Sequence, residues 1–262
     1  GHSKYIDVLE RSLYNGVISG VGIDGKTFFY PNPLECDMKY KFNSGGSLTR
    51  EPWFDCSCCP SNLCRFMPSV PGYIYAQTEN SLYVNLFVQS ETTINVAGSL
   101  VGIETKTNYP WDGNVDLMIN PGDDTAFTLY VRVPGWAKNE PVPGDLYHYV
   151  AASDVKAKLS VNGEEIDAEE KNGYLVIDRL WKAGDVVHYA LPMDVRKVEA
   201  SKLVTENHGK VSLERGPVVL CVEEFDNLDF SEIRIDSKME FKTVSDNEFG
   251  VSSVSVLAMD SE

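Results

Sequence analysis

The residues best equipped for chemistry in this chain are sulfurs. Four of the six cysteines fall in one run, Cys56-Ser57-Cys58-Cys59-Pro60-Ser61-Asn62-Leu63-Cys64. A thiolate attacks electrophiles and ligates soft metals, and the positive end of a helix favours it. Pro60 fits the first position of a helix, where its missing N–H is no loss. That predicts Cys59 at the N-cap and Cys58 just before it. Leu63, Phe66 and Met67 follow at helical spacing, and Pro68 and Pro71 should end the run. The spacing alone leaves three outcomes open: structural thiols, a local disulfide, or a metal or nucleophile site. Cys-x-Cys-Cys is not a zinc-finger spacing and offers at most three local donors to a tetrahedral zinc. Cys36 and Cys221 are isolated, and His2, His148, His188 and His208 are scattered. A complete zinc site is therefore hard to assemble from this chain.

The elements that must hold these thiols come in two textures. Residues 3–19 read as an amphipathic helix, with Tyr5, Ile6, Leu9, Leu13, Val17 and Ile18 at three- and four-residue steps. Ser3 or Lys4 starts it and Gly20 or Gly22 ends it. From Ile23 to Asp55 the chain is loop-like, punctuated by Gly25, Pro31, Pro33, Gly45, Gly46 and Pro52. A loop this long is functional or belongs to a larger frame. After Pro71-Gly72 the pattern turns to β. Strand-like runs begin at Ser81, Thr92, Val101, Val115 and Ala126, and Asn162-Gly163 and Asn172-Gly173 are hairpin signals. Many short strands without crossover helices predict antiparallel β-sandwich architecture.

Composition sets the outer bounds. The 262 residues, 43% hydrophobic and 24% charged, suit one large or two modest globular domains. A net charge of −16 speaks against a basic nucleic-acid surface. No apolar run approaches the roughly 20 residues of a membrane span, so neither nucleic acid nor membrane is an expected partner. Irregular cysteine spacing does not read as a disulfide framework. Unpaired thiols fit a reducing cytoplasm, whereas an export signal would fit a bacterial periplasm, and the location stays open between them.

A family resemblance rests on several stretches. They are Gly25-Lys26-Thr27-Phe28-Phe29-Tyr30-Pro31-Asn32-Pro33-Leu34-Glu35, Cys58-Cys59-Pro60-Ser61-Asn62 and Val131-Arg132-Val133-Pro134-Gly135-Trp136. Trp181-Lys182-Ala183-Gly184-Asp185-Val186-Val187 and Lys210-Val211-Ser212-Leu213-Glu214-Arg215-Gly216-Pro217-Val218-Val219 complete them. The Cys-Cys-Pro-x-Asn element is the most specific. The chain resembles the C-terminal portion of glycoside hydrolase family 127, the β-L-arabinofuranosidase family, up to about residue 224.

The resemblance implies a mainly β fold: two antiparallel β-sandwich domains preceded by a short helical remnant of an (α/α)6 barrel. Residues 1–72 would be the end of that catalytic barrel. Residues 73–122 with 196–262 would form one sandwich and 123–195 the other. It also implies a retaining hydrolase of β-L-arabinofuranosides with a zinc cofactor. Cys58 matches the nucleophile and a zinc ligand, Cys59 matches a zinc ligand, and Cys56 and Trp53 stand as site neighbours. In the family the acid/base glutamate and the other zinc ligands, a glutamate and a third cysteine, lie upstream of the Cys-Cys pair. Glu35, Glu51, Asp55 and Cys36 are not matched to those roles, and the chain alone is expected to be inactive. Cys64 and Cys221 are expected to pack. Tyr109, Trp111, Trp136 and Trp181 are expected in cores and corners rather than on sugars. The implied partners are an arabinose-containing glycan, bound through the barrel, and a second copy meeting through a sandwich. Two other classes remain open: a non-catalytic carbohydrate-binding or dimerisation module, and a zinc or redox thiol protein.

Overall fold

In the computed structural model the chain opens with α1 (Lys4–Ser12), a π-helical turn at Leu13–Val17 and a 3-10 turn at Ile18–Gly20. The structure describes residues 1–222 except Asn32, Leu34, Glu35, Asp37, Met38 and Ser57, together with 232–236, 239–246 and 253–259. The helix lies where its periodicity predicts, but the face it buries is not the apolar one alone. Leu13 is buried, whereas Tyr5 is 68% exposed and Ile18 41%. Glu10, on the stripe of Ile6 and Leu13, is 1% exposed. The helix docks on a charged partner, described below.

The stretch after Gly20 is stapled rather than slack. Phe28 forms β-bridges to both Val21 and Glu51. The buried Asn43 ties the middle together: its Oδ1 accepts from the Tyr30 N–H at 2.8 Å and its Nδ2 donates to the Thr49 carbonyl at 2.7 Å. Glu35 lies outside the described residues.

α2 (Cys58–Phe66) starts earlier than the proline predicts. Cys58 and Cys59 are its first two residues and Pro60 its third, not pre-cap, cap and first residue. Proline is tolerated here because no N–H of the first turn has an intrahelical acceptor. Pro68 and Pro71 do not end the helical run either. Each sits at the start of a new short helix, a 3-10 turn at Met67–Ser69 and α3 (Pro71–Ile74).

The rest is β. In chain order the strands are β1 (Tyr75–Thr78), β2 (Ser81–Val84), β3 (Ser90–Val96), β4 (Ser99–Thr107), β5 (Asn114–Pro121) and β6 (Thr125–Arg132). They continue with β7 (Tyr147–Tyr149), β8 (Lys158–Val161), β9 (Glu164–Glu165), β10 (Glu170–Lys171), β11 (Tyr174–Trp181) and β12 (Asp185–Ala190). The last are β13 (Val195–Ala200), β14 (Val211–Arg215), β15 (Val218–Leu220), β16 (Glu240–Asp246) and β17 (Ser253–Met259). One sheet has the order β1-β2-β6-β11-β10 and a second β3-β4-β5-β12-β8-β9. A third runs β15-β14-β13-β7, and β16 pairs with β17. Nearly all pairings are antiparallel; β2 and β6 run parallel.

Alternation along each strand turns one face of the first two sheets inward. Leu82, Val84, Leu129, Val131 and Ile177 from the first meet Val101, Ile103, Leu117, Ile119, Val187 and Tyr189 from the second in one buried cluster. Trp181 is fully buried there and donates its indole N–H to the Phe127 carbonyl at 3.0 Å. Both hairpin signals form turns: Asn162 and Gly163 have φ of 53° and 83°, Asn172 and Gly173 54° and 83°, the left-handed pair that a two-residue hairpin needs. The pairing does not follow an expected boundary at 122/123. β2 pairs with β6 and β5 with β12, so strands of 73–122 are hydrogen-bonded to strands of 123–195. β7, at 147–149, pairs instead with β13.

Candidate thiol site

Three sulfurs meet at the start of α2. Cys58 Sγ lies 3.8 Å from Cys56 Sγ and 3.8 Å from Cys59 Sγ. All three residues are exposed and reduced. The phenol of Tyr30 lies 2.8 Å from Cys58 Sγ. Its hydrogen bonds to Cys58 foremost, then Cys56 and Cys59, push the Tyr30 pKa well above the ordinary tyrosine value. Tyr30 is held by Asn43 at its backbone and by an edge contact with the ring of Phe54, centroids 5.3 Å apart. The stapled loop thus presents a hydroxyl to thiols 28 residues further on.

Cys59 and Tyr30 line a cavity of about 220 Å³. Phe28, Phe29, Tyr30, Leu63 and Phe66 give it an apolar, largely aromatic lining, and Cys59 and Asn62 add polar atoms. Val17 and Gly16, from the π-helical turn after α1, form part of its wall. The placing of α1 therefore shapes this cavity.

That placing is electrostatic. Arg132, at the end of β6, is fully buried. It donates to Asp7 at 2.6 Å, to Glu10, and through Nε to the Asn85 carbonyl at 2.6 Å. Tyr109 donates to Glu10 at 2.8 Å and the Trp136 indole N–H to the same carboxylate at 3.4 Å. Burial works against the charge of Arg132, but Glu10 first and Asp7 outweigh it and hold the guanidinium charged. Burial and then Glu10 likewise raise the Tyr109 pKa. Further along, Arg11 pairs with the buried Glu214. Asn15 bonds like a strand residue: its amide donates to the Pro217 carbonyl at 2.8 Å and its oxygen accepts from the Val219 N–H at 2.8 Å. At the other end, Ser3 N–H donates to the Asn172 carbonyl at 3.0 Å. A Cβ on Gly173 would stand 1.8 Å from Ser3 Oγ, so only glycine lets the helix start rest on that hairpin.

The sites expected from sequence fall as follows. Cys56, Cys58 and Cys59 are brought together. Trp53 is 67% exposed, and Tyr30 takes the contact with Cys58 instead. Glu51 accepts from Ser47 and Thr49 within its own loop, and Asp55 is exposed. Cys64 and Cys221, expected in packing positions, are both exposed. Tyr109, Trp136 and Trp181 are buried. Among the described residues no group of three or more His, Cys, Asp or Glu side chains is placed to hold a metal ion. Cys58 and Cys59 can offer two donors, no more than part of a tetrahedral sphere. Sequence reasoning missed Tyr30, Asn43, Glu10 and Arg132. Glu10 carried a signal, a carboxylate on an otherwise apolar stripe; Tyr30 stood in a stretch of family resemblance, but nothing in its spacing pointed to Cys58.

Comparison with known proteins covers nearly the whole chain. The family model described as beta-L-arabinofuranosidase, GH127 catalytic domain, matches residues 1–72. The GH127 middle domain matches 81–193 and the glycoside hydrolase family 127 C-terminal domain 195–255. A non-reducing end beta-L-arabinofuranosidase of Bifidobacterium longum subsp. longum is 32% identical over 234 residues. That match takes in 86% of this chain and 32% of the relative, so the chain spans about a third of the relative's length. Among solved structures, a GH127 beta-arabinofuranosidase superposes with a TM-score of 0.89 at 41% identity over 98% of this chain and 39% of that one. A GH127 beta-L-arabinofuranosidase from Geobacillus stearothermophilus T6 gives 0.86 at 38% identity, with the same coverage.

Proposed function

The chain belongs to glycoside hydrolase family 127, the β-L-arabinofuranosidase family, and on that premise we propose that it forms the C-terminal part of a retaining hydrolase of β-L-arabinofuranosides in which Cys58 is the nucleophile. The observation that carries this is the placing of Cys58: in the first turn of a helix and hydrogen-bonded to Tyr30, which together with Cys59 lines an aromatic cavity of about 220 Å³. Such a cavity suits a pentose, whose C–H faces pack on aromatic rings while its hydroxyls seek a few polar atoms.

The reaction follows from the sulfur. Cys58 Sγ, as thiolate, attacks the anomeric carbon and a thioglycosyl intermediate forms as the leaving oxygen takes a proton from a carboxylic acid. Water then attacks the same carbon, deprotonated by that carboxylate, and the sulfur departs with configuration retained. We assign the acid to the part of the catalytic domain outside this chain, because Glu51 and Asp55 are engaged elsewhere or exposed. Tyr30 steadies the sulfur it touches. Cys58 and Cys59 would hold zinc, with the remaining donors from outside this chain; bound there, zinc would stabilise the thiolate as nucleophile and leaving group. The sulfur spacing fits: two thiolates at about 2.3 Å from one tetrahedral zinc stand about 3.8 Å apart, the separation of Cys58 from Cys59. Residues 75–190, apart from β7, would form one β-sandwich around the shared core and β13–β15 with β7 a second unit, with residues 1–72 as the end of a helical barrel. An arabinose-containing glycan would be the substrate, and a sandwich face would serve as a dimer contact.

The test is hydrolysis of an aryl β-L-arabinofuranoside by two proteins: this chain, and this chain preceded by only that part of a relative's catalytic domain lying upstream of the segment that matches residues 1–72. The joined protein should turn over and its Cys58→Ser variant should lose activity by orders of magnitude with KM little changed. Turnover by the joined Cys58→Ser protein at the parent rate would refute the assignment.

A further inference from the structure

Two thiols flank the proposed nucleophile at equal distance, and the fold treats them differently. Cys58 and Cys59 are consecutive residues of α2. Neighbouring side chains on a helix diverge by about 100°, so a disulfide between them would unwind the first turn. Cys56 precedes the helix, so its χ1 can turn without breaking a helical hydrogen bond. Its sulfur already touches Cys58 at 3.8 Å. A bond at about 2.05 Å calls for these two exposed side chains to turn toward one another.

We propose that Cys56 is the resolving thiol of Cys58, forming a reversible intramolecular disulfide under hydroperoxide. The balance is complete. Cys58 thiolate attacks the peroxide oxygen, its O–O bond breaks, and with one proton from solvent the products are Cys58 sulfenic acid and water. The Cys56 thiol then attacks the Cys58 sulfur. The S–O bond breaks, the S–S bond forms and a second water leaves, carrying the Cys56 proton. Two thiols are oxidised by two electrons and one hydroperoxide is reduced. The outcome protects Cys58 from the irreversible sulfinic acid, and it removes from action the sulfur that glycoside cleavage would need. That consequence rests on Cys58 as nucleophile; the disulfide itself does not.

The experiment uses the whole chain, reduced and chelator-treated, with hydrogen peroxide as the probe. Remaining thiols are blocked with iodoacetamide and the peptides mapped by mass. The expected product is a peptide lighter by two hydrogens, linked Cys56 to Cys58, formed several-fold faster in the folded chain than in urea and reversed by dithiothreitol. In Cys56→Ser, peroxide should drive Cys58 to sulfinic acid, and dithiothreitol should fail to restore its alkylation. A Cys58–Cys59 link, sulfinic acid at Cys58 in the unaltered chain, or equal rates folded and in urea would each overturn the proposal. Added zinc gives the separate readout. Slower cross-linking would mean that this chain alone supplies enough donors to hold zinc on Cys58, and an unchanged rate matches donors that lie outside it; the disulfide proposal stands on the cross-link in either case.

Discussion

Arg132 is the residue on which the largest local energy turns. It is fully buried, its two carboxylate partners come from α1, and its Nε serves the Asn85 carbonyl. Removing one member of such a group leaves the others charged and dry, at a cost of about 3–5 kcal/mol. Arg132→Met should lower the unfolding free energy by about that much, measured in urea. The double change Arg132→Met with Glu10→Leu should cost less than the single, because it strands fewer charges. Asp185 offers a pH test. Burial alone would raise its pKa, but the Asn162 amide at 2.8 Å, the Lys182 N–H at 2.9 Å and Arg179 outweigh it and hold the carboxyl below its ordinary value. A depressed carboxyl stabilises the fold fully above its unfolded pKa, and the contribution fades as pH falls through the folded value. Asp185→Ala should therefore cost about 1–2 kcal/mol at neutral pH, and the gap from the parent should close below about pH 4. A gap that widened in acid would reverse the sign argued here.

At the level of elements, legibility tracked how local the cause was. Asn162-Gly163 and Asn172-Gly173 announced their turns because the backbone needs φ above zero at both positions, and these residues supply it. The span of α1 was legible from period alone. Its buried face was not, because Arg132 lies more than a hundred residues away and turns a polar stripe into the docking side. α2 starts two residues before the position its proline marks, because proline is admitted anywhere in the first turn. Tyr30 reaches Cys58 only because Asn43 and the Phe28 bridges fold the loop back, and no spacing in the sequence encodes that return. The seam between the π-helical turn after α1 and β15 can be tested. Asn15→Leu removes the donor to Pro217 and the acceptor for Val219, at about 1–3 kcal/mol for groups left unmatched. Amide exchange at Val219 should quicken by about tenfold or more. Unchanged exchange would mean that strand is held without the helix.

For the whole molecule, mainly β architecture with several sheets was readable from strand spacing, while the grouping of strands was not. Sequence order invites a break near residue 122, but the core closes by pairing β2 with β6 and β5 with β12 across it. Non-local pairing of this kind is decided by which faces can be buried together. The proposed zinc assignment belongs at this scale, since its donors would come from more than one part of a longer protein. Elemental analysis of the purified chain should find well under one zinc per chain, and the chain alone should not hydrolyse aryl β-L-arabinofuranosides. Stoichiometric zinc would move the missing donors inside the chain.

The contacts of α1 and the π-helical turn after it also bear on inheritance. Asp7 and Glu10 answer to Arg132, Arg11 to Glu214, and Asn15 to the backbone at Pro217 and Val219. A gene spliced near residue 72, with its front half from one relative and its back half from another, would set a helix from one lineage on sockets from another. Only parents that share the residues at 7, 10, 11, 15, 132 and 214 should give folded chimeras. A substitution at one of these sites should persist only alongside its counterpart, so the boundary that looks most modular in the chain is where its history is least free.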